Sequence, residues 1–113
     1  MAGRLQANPR DTKNTQAARN IRPHAESAAA LLKALANEQR LMILCSLLDG
    51  PLSVGELNER VDLSQSALSQ HLAVLRDANI VTTERASQTI RYSLPPGAAT
   101  RIIGILYKEY CER

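Results

Sequence analysis

Phenylalanine and tryptophan are absent from this 113-residue chain, and three tyrosines are its only aromatic residues. With 44% hydrophobic residues, its core must be built from Leu, Ile, Val and Ala, a composition that suits helices. The length favours a single domain. No apolar run approaches the roughly 18 residues of a membrane span. The N-terminal stretch also lacks the apolar segment of a signal peptide. No membrane is expected as a partner, and the expected location is the cytoplasm. Cysteine is scarce too: Cys45 and Cys111 stand 66 positions apart, too few for a disulfide framework. In a cytosolic chain they are buried fillers, metal ligands or redox groups. There is no C-x-x-C, no Gly-rich phosphate loop and no nucleophile–base pairing. No catalytic residue is therefore assigned, and an enzyme such as a thiol oxidoreductase is disfavoured.

Net charge is also low, at +3, and it is unevenly spread. Residues 1–23 carry Arg4, Arg10, Lys13, Arg19 and Arg22 against Asp11, whereas the remaining 90 residues hold nine basic and ten acidic groups. Any nucleic-acid role rests on a few placed cations or on the tail, because bulk charge does not supply it. Residues 1–22 are polar and aperiodic and read as a disordered basic N-terminal arm. Residues 23–113 read as the folded domain.

What is present is a series of helix signals. An Ala-rich run from Pro23 to about Leu35 favours helix, and its small side chains allow another helix close approach. Asn37 is placed to cap a second helix over 38–48, where Leu41, Leu44, Cys45 and Leu48 fall within one stripe at about 100° per residue. Ser53 and Glu56 form a capping box, with Leu52 and Leu57 as a hydrophobic staple. That helix runs to about Val61, with Val54, Leu57 and Val61 facing inward. Ser64 caps the next helix, stapled by Leu63 and Leu68, which ends near Ala78. Asn79 then stands where a left-handed C-cap residue belongs. Residues 80–84 and 89–94 read as strands, with 85–88 as the hairpin tip and Ile90, Tyr92 and Leu94 on a buried face. A last helix from about Ala98 to Glu112 carries Ile102, Ile103, Ile105, Leu106, Tyr107 and Tyr110. That arc is wide enough to face a partner chain as well as the core.

Two capped helices, a tight turn between them and a following hairpin make a mainly α protein with a small β-hairpin. The fold is a winged helix-turn-helix of order α-α-α-α-β-β-α. In the second of these helices Leu72 and Leu75 lie within about 40° of Leu68. The opposite arc carries Gln65, Ser66, Ser69 and Gln70 near the N-terminal end. Amides pair with adenine and hydroxyls with several bases, so this face suits the major groove of double-stranded DNA. A polar solvated helix face is the plainer alternative. His71, at the edge of the leucine stripe, either packs locally or joins the readout face. Arg85 and Arg91, with Thr89 between them, and Arg76 suit phosphate contacts or are simply solvated. The basic arm would add salt-dependent, non-specific affinity. A winged-helix protein-interaction module is a further alternative, weakly opposed by the uncharged helix face.

The stretches LKALANEQRLMIL, LSVGEL, LSQSALSQHLAVLRDANIV and the hairpin ending RYSL resemble the ArsR/SmtB family of bacterial winged-helix transcriptional regulators, over about residues 28–112. The resemblance implies a homodimer formed by the first and last helices, agreeing with the Ala-rich helix and the wide apolar arc. It also implies a palindromic operator near a promoter, with the protein usually acting as a repressor released by an inducer. Many members bind metal, but SVGELNERV contains neither Cys nor His, and ATRIIGILYKEYCER lacks His and Asp. No set of three or four zinc ligands can be assembled, so neither a metal nor a cofactor is expected. Cys45 in LMILCSLL and Cys111 in LYKEYC resemble instead the persulfide- and redox-sensing branch of that family, as does the AxQT pattern at Ala86–Thr89. That branch implies reactive sulfur species or oxidants as inducer. Lys108, near Cys111, would favour its thiolate. A direct disulfide needs Cα atoms within about 4.4–6.8 Å, and a polysulfide bridge spans more. Two inert core cysteines are the plainer alternative. A metal-responsive or inducer-independent regulator, or an activator that displaces a silencing protein, are the remaining functional alternatives.

Overall fold

A computed structural model describes residues 15–112. The chain divides into two units, one ending at Ala30 and one starting at Leu31. In the first, Thr15 caps a short helix α1 (Gln16–Ile21) by accepting the Ala18 N–H at 3.3 Å. A 3₁₀ turn over Arg22–His24 follows. The expected disordered arm is therefore helical in its last part, and residues 1–14 lie outside the described residues. Polarity hid this helix, because none of its residues is buried. Its formation rests on the Thr cap and two alanines, which are local preferences without an apolar stripe.

Helix α2 (Ala25–Leu35) leads through Asn37 into α3 (Glu38–Ser46). Asn37 caps α3 as expected, its side-chain oxygen accepting the Arg40 N–H at 3.0 Å. The Arg40 guanidinium turns back and donates to the Ala34 carbonyl at 2.6 Å, satisfying a helix-end acceptor of α2. α3 stops at Ser46, and Leu47–Asp49 tighten into a 3₁₀ turn. Strand β1 (Leu52–Ser53) and helix α4 (Val54–Arg60) come next. The capping box forms as read from the sequence: the Glu56 N–H donates to Ser53 Oγ, and the Ser53 N–H donates to Glu56 Oε1 at 2.9 Å. Helix α5 (Gln65–Asp77) is capped by Ser64 and ends before Asn79, which takes φ 60°.

The wing differs from expectation in four ways. β2 (Thr82–Ala86) runs further toward the tip than expected while β3 (Thr89–Ser93) starts where expected, so Arg85 and Ala86 belong to a strand and only Ser87–Gln88 turn. Ile80 and Val81 precede the strand, yet both are buried in the core. The sheet has three strands, in the order β1-β3-β2, because Leu52 pairs with Tyr92 and Ser53 with Arg91. Ile90, expected inside, is 43% exposed. It pairs with Arg85 beyond the end of β1, where no core lies beneath the sheet.

Helix α6 (Ala98–Cys111) closes the fold. One aliphatic core gathers Leu44, Leu57, Leu68, Leu72, Leu75, Ile80 and Ile103. Ile43, outside the stripe read from the sequence, is fully buried with them. α3 packs against α4, α5 and α6, so it links the helix-turn-helix to the last helix. Among the described residues, no helix is long and apolar enough to cross a membrane.

The turn between α4 and α5 is held by a side chain. Asn58 Nδ2 donates to the Leu63 carbonyl at 2.8 Å, and the Leu63 N–H donates to the Val61 carbonyl at 3.0 Å. Asn58→Ala leaves that half-buried carbonyl without its partner and is expected to cost about 1 kcal/mol, read as a lower urea midpoint with unchanged slope.

Candidate nucleic-acid interface and thiol pair

The second helix of the pair presents the two faces its sequence called for. Leu68, Leu72 and Leu75 are fully buried, while Gln65, Ser66, Ser69 and Gln70 are all exposed. Ser64 Oγ accepts the Ala67 N–H at 3.1 Å, which fixes the N-terminal end where these side chains stand. His71 is half-buried beside the leucines, between its two expected positions. Arg76 is exposed in the last turn. Val74, one turn beyond Gln70, is not among the residues singled out from the sequence, and it is 43% exposed. Its signal is angular: it falls about 120° from Leu68, outside the buried stripe, at about 100° per residue.

Arg85, Thr89 and Arg91 are exposed on the wing. Opposed residues of an antiparallel pair share a face, and neighbours along a strand alternate. Arg85 pairs with Ile90, and Arg91 pairs with Glu84. The two arginines therefore lie on opposite faces of the hairpin, with Thr89 on the face of Arg91.

The cysteines, far apart in sequence, come together. Cys45 on α3 and Cys111 on α6 line one apolar cleft of ≈ 370 Å³ with Leu41, Leu106, Tyr107 and Tyr110. Cys45 is half-buried, Cys111 is exposed, and both thiols are free. Burial pushes the Cys45 thiol above its ordinary value, and the nearby Cys111 adds to the rise. Lys108, on the same helix as Cys111, lines a second cleft with Cys45, Asp49 and Glu112. Among the described residues, no three His, Cys, Asp or Glu side chains gather in a group that could hold a metal ion.

The raised Cys45 pKa sets a pH prediction. Only thiolate reacts at speed, so in a Cys111→Ser protein Cys45 is alkylated slowly at neutral pH. Its iodoacetamide rate climbs only above the range of an ordinary free cysteine. A midpoint at or below that range would contradict the burial seen here.

A fold of this order with such a helix and wing can be compared with known proteins. Residues 37–83 match the family model described as bacterial regulatory protein, arsR family. The transcriptional activator HlyU of Vibrio cholerae is 52% identical over 89 residues, covering 79% of this chain and 82% of that protein. The chain belongs to the ArsR family. The matched segment of this ArsR protein runs from the α3 cap to the start of the wing, so it contains the whole helix-turn-helix. A biofilm growth-associated repressor from Agrobacterium fabrum is 47% identical over 87 residues, covering 77% of this chain and 74% of that one. The structure of reduced HlyU from Vibrio cholerae superposes with a TM-score of 0.76 at 49% identity, covering 82% of this chain and 98% of that one. The chain is thus a DNA-binding transcriptional regulator of winged helix-turn-helix fold and not an enzyme.

Proposed function

We propose that this ArsR regulator is a homodimeric repressor that grips a palindromic operator through α5 and releases it when Cys45 and Cys111 are joined. The observation that carries the switch is the shared cleft: two thiols 66 positions apart in the chain line the same apolar recess between α3 and α6. The resemblance of both cysteine positions to the persulfide- and redox-sensing branch supports it. So does the description of a relative's structure as reduced HlyU.

The chemistry follows from exposure. Cys111, the exposed thiol, reacts first: its thiolate attacks a sulfane sulfur of an added polysulfide, the S–S bond breaks, and the shortened polysulfide leaves as an anion. Cys45 then attacks the inner sulfur of the Cys111 persulfide, giving a disulfide and expelling hydrosulfide. If both thiols carry a sulfane sulfur, the same expulsion leaves a trisulfide. Either link ties α6 to α3, and α3 packs directly on α4 and α5. A small shift there moves two recognition helices off the roughly 34–36 Å spacing of one DNA turn.

On the DNA side, Gln65, Ser66, Ser69 and Gln70 read base edges, and exposed Val74 suits a thymine methyl. Arg76, Thr89 and the projecting wing arginine Arg85 fix register through phosphate, and His71 borders the face. A two-fold partner would cover the apolar cleft lined by Leu32, Leu35, Ala36, Leu41, Ile102 and Leu106, along with Ile105, which is 64% exposed. The direction of regulation has a second reading, activation, since the similar HlyU is named an activator. A gel shift on the protein's own upstream DNA tests the proposal. Reduced protein binds, polysulfide-treated protein does not, and dithiothreitol restores binding. Binding that is indifferent to polysulfide rejects the switch.

A further inference from the structure

The register of the wing assigns different tasks to its two arginines. We propose that Arg85 meets the DNA, whereas Arg91 is a positioning residue that holds the wing at a fixed angle to α4. The proposal rests on DNA binding alone and is independent of the thiol switch.

The argument begins with β1. That strand is only two residues long, and it pairs with Tyr92 and Arg91. Arg91 therefore sits in the three-stranded base of the sheet. Arg85–Ile90 and Ala86–Thr89 lie further out, where only β2 and β3 remain. The projecting part is the part able to reach a groove, and Arg85 is its arginine. The residue opposite Arg85 is Ile90, an exposed apolar side chain, so no carboxylate is paired across from it.

Arg91 has the reverse surroundings. Across β2 it faces Glu84, and across β1 it faces Ser53. Ser53 is also the cap of α4, locked to Glu56 by two reciprocal hydrogen bonds. One residue pair, Ser53–Arg91, thus joins the wing to the N-terminus of the first helix of the helix-turn-helix. The Arg91 charge reaches Glu56. The Glu56 carboxyl is held below its usual range chiefly by the Ser53 N–H, with Arg91 and Arg60 adding to the effect. Arg91 therefore stands at the root of the wing, with Glu84 as its cross-strand neighbour and Glu56 within reach of its charge.

The test uses the full-length reduced protein and a duplex that the protein itself has selected from random sequence, with affinity read by fluorescence anisotropy over a salt series. Arg85→Gln is expected to flatten the slope of log affinity against log salt by about 0.9 for each protomer that loses a phosphate contact. Arg91→Gln weakens binding by roughly threefold to tenfold but keeps the wild-type slope, because no counterion-releasing contact is lost. Glu56→Gln is the sharpest arm. Gln preserves the capping box and removes an anion, so simple charge repulsion predicts tighter binding. A positioning role predicts weaker binding, and no additional loss when it is combined with Arg91→Gln. Arg91→Lys restores affinity, since a point charge suffices. A slope change in Arg91→Gln equal to that of Arg85→Gln overturns the proposal. So does tighter binding by Glu56→Gln, unchanged affinity in Arg91→Gln or an unchanged slope in Arg85→Gln. If Arg91→Gln fails to melt cooperatively, the Glu56→Gln and Arg91→Lys arms decide the question.

Discussion

Ser69→Ala combined with Gln70→Ala lowers operator affinity by roughly a hundredfold, while the melting transition stays where it was. The size comes from the chemistry of readout: a good amide–base pair discriminates by about 1–3 kcal/mol, and each 1.4 kcal/mol is about tenfold. A dimer loses such contacts in both half-sites. The fold is untouched because both side chains are exposed and the helix is held from behind by buried Leu68, Leu72 and Leu75. Alanine is also the best helix former, so α5 gains rather than loses local stability. Loss should fall on specific sites and spare non-specific duplex, since phosphate contacts carry no sequence information. Equal loss on both DNAs would mean that these residues contact the backbone, and no loss would remove them from the interface.

Cys45→Ser and Cys111→Ser each abolish the response to polysulfide while leaving the reduced protein on its operator. In the wild-type protein the response is expected to be a fall in affinity on the order of 5–150-fold, the usual span of coupling between two sites. The two variants differ in what they accumulate. Cys45→Ser keeps the exposed thiol and halts as a Cys111 persulfide. Cys111→Ser retains only the half-buried, high-pKa thiol and stays largely unmodified at neutral pH. Normal release in either single variant would show that no link between the two sulfurs is needed.

Several parts of this fold were legible because they are local. The Ser53–Glu56 box, the Ser64 cap and the left-handed Asn79 each depend on side chains within a few residues of the backbone they satisfy. The leucine stripe of α5 was legible because one period governs one helix. Features set by distance along the chain were not. β1 is two residues long, and its partner, β3, lies almost 40 positions away. In sequence it reads only as a cap and a staple. The Ser87–Gln88 turn lacks the Asn-Gly signature of a two-residue hairpin, although Ser87 adopts φ 62°. Alternation placed Ile90 on the same face as Tyr92, but it could not show that the core stops short of it. The thiol pair is the extreme case. Spacing gave no reason to join Cys45 to Cys111, and only the family resemblance suggested what the shared cleft now supports.

The most direct measurement of the central claim is intact mass and operator occupancy, read from the same aliquots during a polysulfide titration. The account predicts that the fraction of protein released equals the fraction carrying one internal link. That link makes the chain lighter by two hydrogens as a disulfide, or heavier by one sulfur less two hydrogens as a trisulfide. Release while both thiols remain free, or full linkage with the protein still bound, would contradict it.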